Sequence, residues 1–416
     1  MRVLMVTQAE KTHFLSMVPL AWALRTAGHE VRVASQPELE AVAVSAGLTF
    51  APVGRDHLLR QLMHLTRRTV RRDGPDFDLT GTDTDTITWE YVRDGYREIV
   101  PWWWKVVNEP MLDDLVGLCR TWRPDLVIWE PTTFAAPIAA RVVGAAHVRW
   151  LFGLDTFARM RGHHLRLMGE QPPEEREDAL AAWLSGRVSD HGGAFSEDMT
   201  LGQATIDFVP RSLRLPVNLP LRSLPVRYVP YNGPSVVPRW LRVPPLRPRI
   251  CLSLGTSATE ALGGYVVSVE EVLDALADLD VEVVATLPEA EQAKLRRTPG
   301  NARLVSFVPL HALAPTCSAL ITHGGPGTVF TMLACGVPPL IVPQSFDDPL
   351  VADQVAARGA GLTLPRAEAD GPRIRDGVVR LLNEPAFAGN AAEVRAEMRA
   401  MPAPNRLVAA LERFTG

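Results

Sequence analysis

Short runs rich in apolar and β-branched residues alternate with stretches of helical periodicity along this chain, and the alternation runs twice. In the first half the strand-like runs are Val3–Val6, Val31–Ala34, Leu48–Val53, Asp125–Trp129 and His147–Phe152. In the second they are Ile250–Leu254, Val281–Thr286, Arg303–Phe307, Ala319–Thr322 and Pro339–Val342. Helix-length stretches between consecutive strands imply parallel pairing through right-handed crossovers. Between the halves, nine prolines fall from Pro216 to Pro248. Proline fixes φ and removes a donor, so this segment reads as an extended linker. A 416-residue chain is long enough for two cores. The expectation is an α/β protein with a Rossmann-like domain at 1–215, a linker at 216–248, and a second Rossmann-like domain with terminal helices at 249–416.

Two stretches interrupt the first alternation, at about 56–110 and about 155–205. The second carries a charged helix near Pro173–Trp183. Insertions in such a domain sit on the functional rim, because strands are fixed and loops vary. The first contains Trp102, Trp103 and Trp104. These rings either line an apolar acceptor cleft or pack a helix; Trp102, Trp103 and Phe134 are the acceptor-site candidates.

Charge and composition narrow the partners. A net charge of −4 without a basic run disfavours nucleic acid and anionic membranes. No run of about 18 apolar residues exists to span a bilayer. The N-terminus enters a strand without a signal-peptide pattern, so a cytoplasmic location is expected. Cys119, Cys251, Cys317 and Cys335 are widely spaced and form no CxxC pair. They read as small buried hydrophobes in a reducing compartment.

The strongest chemical signal is Thr322-His323-Gly324-Gly325-Pro326-Gly327-Thr328, which leaves a strand and opens a helix. Glycines let backbone approach a ligand, and the free N–H groups at a helix start attract anions. With His323 and Thr328 as further donors, the loop suits a diphosphate. It is neither a P-loop nor a G-x-G-x-x-G fingerprint, so an NTPase or a dehydrogenase is not supported. Gly255-Thr256-Ser257 is a second candidate anion loop after a strand. Asp347 and Asp348, after the run Pro339–Val342, can accept hydrogen bonds from sugar hydroxyls or simply cap a helix. In the first half, His13 lies just past the first strand and Glu130 ends the Asp125–Trp129 run. Ligands of open parallel sheets bind beyond the strands' carboxyl ends, so both side chains can reach one crevice. A histidine oriented by a carboxylate is a general base suited to an acceptor hydroxyl. No metal-ligand spacing is present, and no metal or cofactor is expected beyond a sugar nucleotide as co-substrate.

Several segments together carry a family resemblance. They are Val18-Pro-Leu-Ala-Trp-Ala-Leu, Ala27-Gly-His-Glu-Val-Arg-Val-Ala-Ser-Gln-Pro and Arg123-Pro-Asp-Leu-Val-Ile-Trp-Glu-Pro, with Tyr231-Asn-Gly-Pro-Ser-Val-Val-Pro, Phe307-Val-Pro-Leu-His-Ala-Leu and His323-Gly-Gly-Pro-Gly-Thr. Over essentially the whole chain they resemble the bacterial antibiotic glycosyltransferases of the GT-B type, whose two Rossmann-like domains face each other across a cleft. The resemblance is to the branch that attaches deoxysugars to macrolide and aromatic polyketide aglycones. It implies inverting, metal-independent transfer from a TDP-deoxysugar to an aglycone hydroxyl. His13 falls at the family's base position, and Glu130 where relatives often carry an Asp partner. His323 with Gly324, Gly325, Gly327 and Thr328 matches the pyrophosphate loop. The Phe307–Val308 backbone matches the wall against the nucleobase. Asp347 and Asp348 fall where many relatives have Asp-Gln, so Asp348 departs from the pattern and leaves the donor sugar open. The resemblance also implies, for some members, an auxiliary protein related to cytochromes P450 that would dock on the polar insertions.

Two competing functions fit the same architecture. A nucleotide-sugar epimerase would act on the donor alone. A non-catalytic sugar-nucleotide-binding or scaffold protein would bind without turnover.

Overall fold

A computed structural model describes residues 1–63, 65, 77–78, 80, 87–255, 265, 267–344 and 346–415. The chain divides into two compact units. The first comprises 1–208, 215–226 and 402–416; the second comprises 209–214 and 227–401.

The first unit is built on a sheet of β1 (Arg2–Val6), β2 (Glu30–Ser35), β3 (Thr49–Pro52), β4 (Leu126–Trp129), β5 (Ala146–Trp150), β6 (Thr205–Asp207) and β7 (Ser223–Pro225). Its order is β3-β2-β1-β4-β5-β6-β7, and every pairing is parallel. Val3, Leu4, Met5 and Val6 are buried on both faces, as strands covered by helices on both sides must be. Helix Lys11–Thr26 packs against β2 and buries Phe14, Met17, Val18, Ala21 and Leu24, the spacing of one helical face. Helix Lys105–Trp122 ends at Arg123 in the left-handed region (φ 51°), which turns the chain into β4.

The second unit repeats the plan with β8 (Arg249–Ser253), β9 (Glu282–Thr286), β10 (Ala302–Val305), β11 (Ala319–Thr322), β12 (Pro339–Ile341) and β13 (Leu362–Thr363). The order is β10-β9-β8-β11-β12-β13, again all parallel. Its core on one side joins Ile250, Leu252, Val283, Ile321 and Leu340 with Val272 and Val378 from flanking helices.

Three expectations are corrected. The proline-dense segment is not wholly a linker, because β7 lies inside it and pairs with β6. As the outermost strand of its sheet, β7 tolerates Pro225 at its end, where a missing donor costs no ladder bond. The last helix, Pro404–Thr415, belongs to the first unit rather than the second. Its Leu407, Val408 and Leu411 are buried, Glu412 lies 3.0 Å from His29 Nε2, and Arg222 stacks over Phe414 at 4.2 Å. The charged helix expected near Pro173–Trp183 starts later, at Ala179, with the Asp178 carboxylate accepting from the Ala181 N–H. Among the described residues no helix is long and apolar enough to cross a membrane.

Candidate active site

The strand order of each sheet reverses at one point, where neighbouring strands send their following segments to opposite sides. This is where open α/β sheets bind ligands. In the first unit the point lies between β1 and β4, and the two loops there carry His13 and Glu130. His13 sits in the first turn of helix Lys11–Thr26, and Glu130 directly follows β4. The Gln8 N–H donates to the Thr133 hydroxyl at 2.8 Å, which ties the β1 loop to the β4 loop.

Glu130 is completely buried, yet its carboxylate is well satisfied. It accepts the Thr132 N–H at 3.0 Å, the Thr132 hydroxyl at 2.8 Å and the Thr133 hydroxyl. Its Oε2 lies 3.4 Å from His13 Nδ1. Burial pushes the Glu130 pKa up, but His13 and the two threonines outweigh it and hold the carboxyl below its ordinary value. Glu130 is therefore ionised at neutral pH and favours His13 with its proton on Nδ1, leaving Nε2 basic. The 3.4 Å separation is at the long end of hydrogen-bond reach, as is common before a catalytic site loads. A second carboxylate stands nearby: Glu10 caps the helix, accepts from Arg60 at 3.1 Å, and has its pKa lowered, against its burial, by the charges of His13 and Arg60. The Phe152 ring, two residues past β5, lies flat against the His13 imidazole.

In the second unit the reversal lies between β8 and β11, and the loops there carry Gly255 and His323. The structure brings these two together. A Cβ on Gly255 would meet His323 Cε1 at 2.6 Å, and one on Gly325 would meet Nε2 at 2.5 Å. The Nε2–Cε1 edge of the imidazole thus occupies space that a side chain at either position would need. Burial pushes the His323 pKa down to about 4, so the ring is neutral at pH 7 and can offer a ligand a hydrogen bond but no charge. Gly325 caps helix Pro326–Leu333. The Thr328 N–H already donates to the Gly325 carbonyl, so Thr328 offers a ligand its hydroxyl rather than its backbone. Gly324 (φ 111°) lies against Asp348: a Cβ there would come 3.1 Å from the Asp348 Cβ. Asp347 and Asp348 open helix Asp348–Ala357 as its cap and first residue, both nearly buried, and Asp348 accepts from the Gln344 N–H at 3.3 Å. Phe307 is exposed in the loop after β10, while Val308 is buried in the core. Thr256 and Ser257 lie outside the described residues.

Residues 22–255 match the model of the N-terminal domain of the Erythromycin biosynthesis protein CIII-like family, and residues 270–414 match that of its C-terminal domain. The chain belongs to this family. It is 45% identical over 415 residues to a 10-deoxymethynolide desosaminyltransferase of Streptomyces venezuelae, covering 100% of this chain and 97% of that protein. It is also 45% identical over 426 residues to an aclacinomycin-T 2-deoxy-L-fucose transferase of Streptomyces galilaeus, covering 100% and 96%. The solved structure of the glycosyltransferase VinC in complex with dTDP superimposes with a TM-score of 0.90 at 41% identity, covering 100% of this chain and 99% of that one. The CIII-like chain is a glycosyltransferase of the GT-B architecture.

The acceptor-side candidates of this CIII-like enzyme fare unequally. Phe134 is only 2% exposed and packs against the rings of Trp104, Trp129 and Trp183, so it is a core residue and lines no cleft. Its apolar character carried no hint of this, because wall and core positions use the same residue types. Trp102 and Trp103 are half-buried on a wide turn, Val100–Trp104, while Trp104 is fully buried. Two contributors lay outside the sequence reading. Phe152 sits at the end of an apolar run with nothing to mark it. Tyr228, in the proline-dense segment, donates its hydroxyl to the Gly327 carbonyl at 3.1 Å and so braces the first turn of helix Pro326–Leu333.

Proposed function

We propose that this enzyme is an inverting glycosyltransferase that moves a deoxysugar from a TDP-sugar to a hydroxyl of a polyketide-type aglycone in antibiotic biosynthesis. The observation that carries the reading is the pairing of His13 with a completely buried, ionised Glu130 at the first sheet's reversal point. His13 takes the acceptor proton as the acceptor oxygen attacks the anomeric carbon from the face opposite the diphosphate. One displacement gives one inversion. Negative charge grows on the departing TDP, where His323 and the helix start at Gly325–Thr328 stabilise it. That leaving-group work needs no metal ion. The substrates follow the relatives, which are named as transferases of desosamine, 2-deoxy-L-fucose and rhodosamine. They also follow a structural relative solved with spinosyn aglycone at a TM-score of 0.76 and 30% identity.

The test is incubation of the purified chain with a panel of TDP-deoxysugars and macrolide or anthracycline aglycones, with product configuration read by NMR. Transfer with inversion, unaffected by EDTA, supports the reading. A changed sugar nucleotide formed with donor alone would instead support an epimerase. Binding of TDP without turnover under any condition would support a non-catalytic role. The proposal includes an auxiliary protein related to cytochromes P450 that docks on the N-terminal insertions; the assay adds one, and a rate raised by it supports that docking.

A further inference from the structure

The proposed base has a neighbour that the reaction scheme does not use. The Phe152 and His13 rings are face to face, with centroids 3.8 Å apart and planes 9° from parallel. An imidazole turns easily about its outer side-chain torsion, which has broad wells related by a half-turn. A half-turn would exchange the positions of Nδ1 and Cδ2 and take Nε2 off its line. The Glu130 contact, at 3.4 Å, is longer than a strong hydrogen bond and cannot fix the ring plane by itself. A flat apolar wall against one ring face fixes that plane and hinders the turn through the perpendicular, while Glu130 decides which ring edge faces it.

Phe152 is itself held. Just before it, the Leu151 N–H donates to the Ile206 carbonyl at 3.0 Å, which anchors the chain to β6. Its ring meets the buried Phe157 edge-on at 6.3 Å and 79°. The helix turn carrying His13 is referenced to the same strand end. The Trp150 indole N–H donates to the Ser16 hydroxyl at 2.9 Å, and that hydroxyl donates to the His13 carbonyl at 2.7 Å. Both the backbone and the ring of His13 are therefore located from the carboxyl end of β5.

We infer that Phe152 is a positioning residue of the transfer reaction: its ring sets the plane of the His13 imidazole, with Nδ1 toward Glu130 and Nε2 toward the acceptor hydroxyl. The inference rests on His13 being the base. It is tested with Phe152→Ala, Phe152→Leu and Phe152→Tyr in the full chain, and with Phe152→Ala combined with His13→Ala. Long-range 1H–15N spectra of histidine-labelled free protein read the His13 tautomer without any substrate. Steady-state kinetics use the donor and aglycone found active in the transfer assay.

Wild type and Phe152→Tyr should show one fixed His13 tautomer, whereas Phe152→Ala and Phe152→Leu should show an averaged one. The Ala and Leu variants should lose about 10- to 100-fold in kcat, the scale of a misplaced catalytic group, with KM for the aglycone nearly unchanged. Tyr should restore the rate, and Phe152→Ala should add nothing to the loss in His13→Ala. Leu keeps the bulk of the site, so it decides the matter if Ala does not fold. A raised aglycone KM at unchanged kcat would make Phe152 an acceptor wall and overturn the inference. So would a full further loss in the His13→Ala background, or an unchanged tautomer signal. Wild-type turnover by His13→Ala would remove the base itself. An inactive His13→Ala beside fully active Phe152→Ala and Phe152→Leu would remove only the role of Phe152.

Discussion

Gly325→Ala isolates the position of one ring. Gly325 has φ −53°, an ordinary value for any residue, so alanine there brings no backbone strain. Its Cβ would lie 2.5 Å from His323 Nε2 and 2.9 Å from Cε1. Non-bonded heavy atoms rest at about 3.5–4.0 Å, so the imidazole must move by about 1 Å. Gly255 stands beside the same ring edge, where a Cβ of its own would meet His323 Cε1 at 2.6 Å, so that edge is bordered by glycine at both positions. A displaced ring would lose the proposed hydrogen bond to a diphosphate oxygen, and a bond to a charged group is worth about 1.5–3 kcal/mol. That corresponds to TDP binding weaker by roughly 10- to 150-fold. Titration calorimetry with TDP reads the affinity, and a thermal melt checks the fold. Gly255→Ala, at φ 75°, should show a similar loss of affinity together with a lower Tm, since a side chain in that region costs about 1–2 kcal/mol. A folded Gly325→Ala protein that binds TDP like wild type would show that the His323 ring is not a diphosphate donor.

Glu130→Gln should reduce kcat by about 10²–10⁴-fold, most of what a positioned base supplies, with little change in either KM; a kcat near wild type would refute the orienting role. Burial holds the pKa of His164 and His323 at about 4, against about 6.5 in an unfolded chain. Protons then bind the unfolded state first, so this contribution to stability is full above pH 6.5 and drains away as the pH falls to 4. Tm should drop over that window, and His164→Phe should flatten part of the drop; equal slopes for variant and wild type would count against it. Deleting residues 402–416 uncovers the contacts of Leu407, Val408 and Leu411, worth roughly 1.5–3 kcal/mol each. The melt of the first unit should fall by many degrees, and an unchanged melt would mean that the helix does not belong to that unit's core.

What was legible in the sequence shared one cause: a periodic pattern or a polar residue where apolar ones were expected. β1, β4, β8 and β11 are continuous apolar runs, and they place the loops that matter. His13, Glu130 and His323 stood out because titratable groups at strand ends are conspicuous. Contacts between distant apolar residues left no such mark. Phe134 and Phe152 are the same residue type at comparable loop positions, yet one is core and the other faces a histidine. β6, β7 and β13 have three residues or fewer and each includes a polar residue (Thr205 and Asp207, Ser223, Thr363), whereas the equally short β12 has none and is continued by Val342. The amphipathic face of helix Pro404–Thr415 announced that something would cover it but not which sheet it would join. That choice is made by His29, Arg222 and helix Lys11–Thr26, hundreds of residues earlier.

The return of that helix sets the order in which the molecule can be finished. The ribosome releases β1 through β7 long before residues 404–415 exist. Helix Lys11–Thr26 lacks its partner, helix Pro404–Thr415, while residues 227–401 are made. The first unit to emerge is therefore the last to close. A hybrid enzyme joined once in the proline-dense segment would inherit a foreign closing helix. One that exchanges only residues 227–401 would keep each first unit with the helix that completes it.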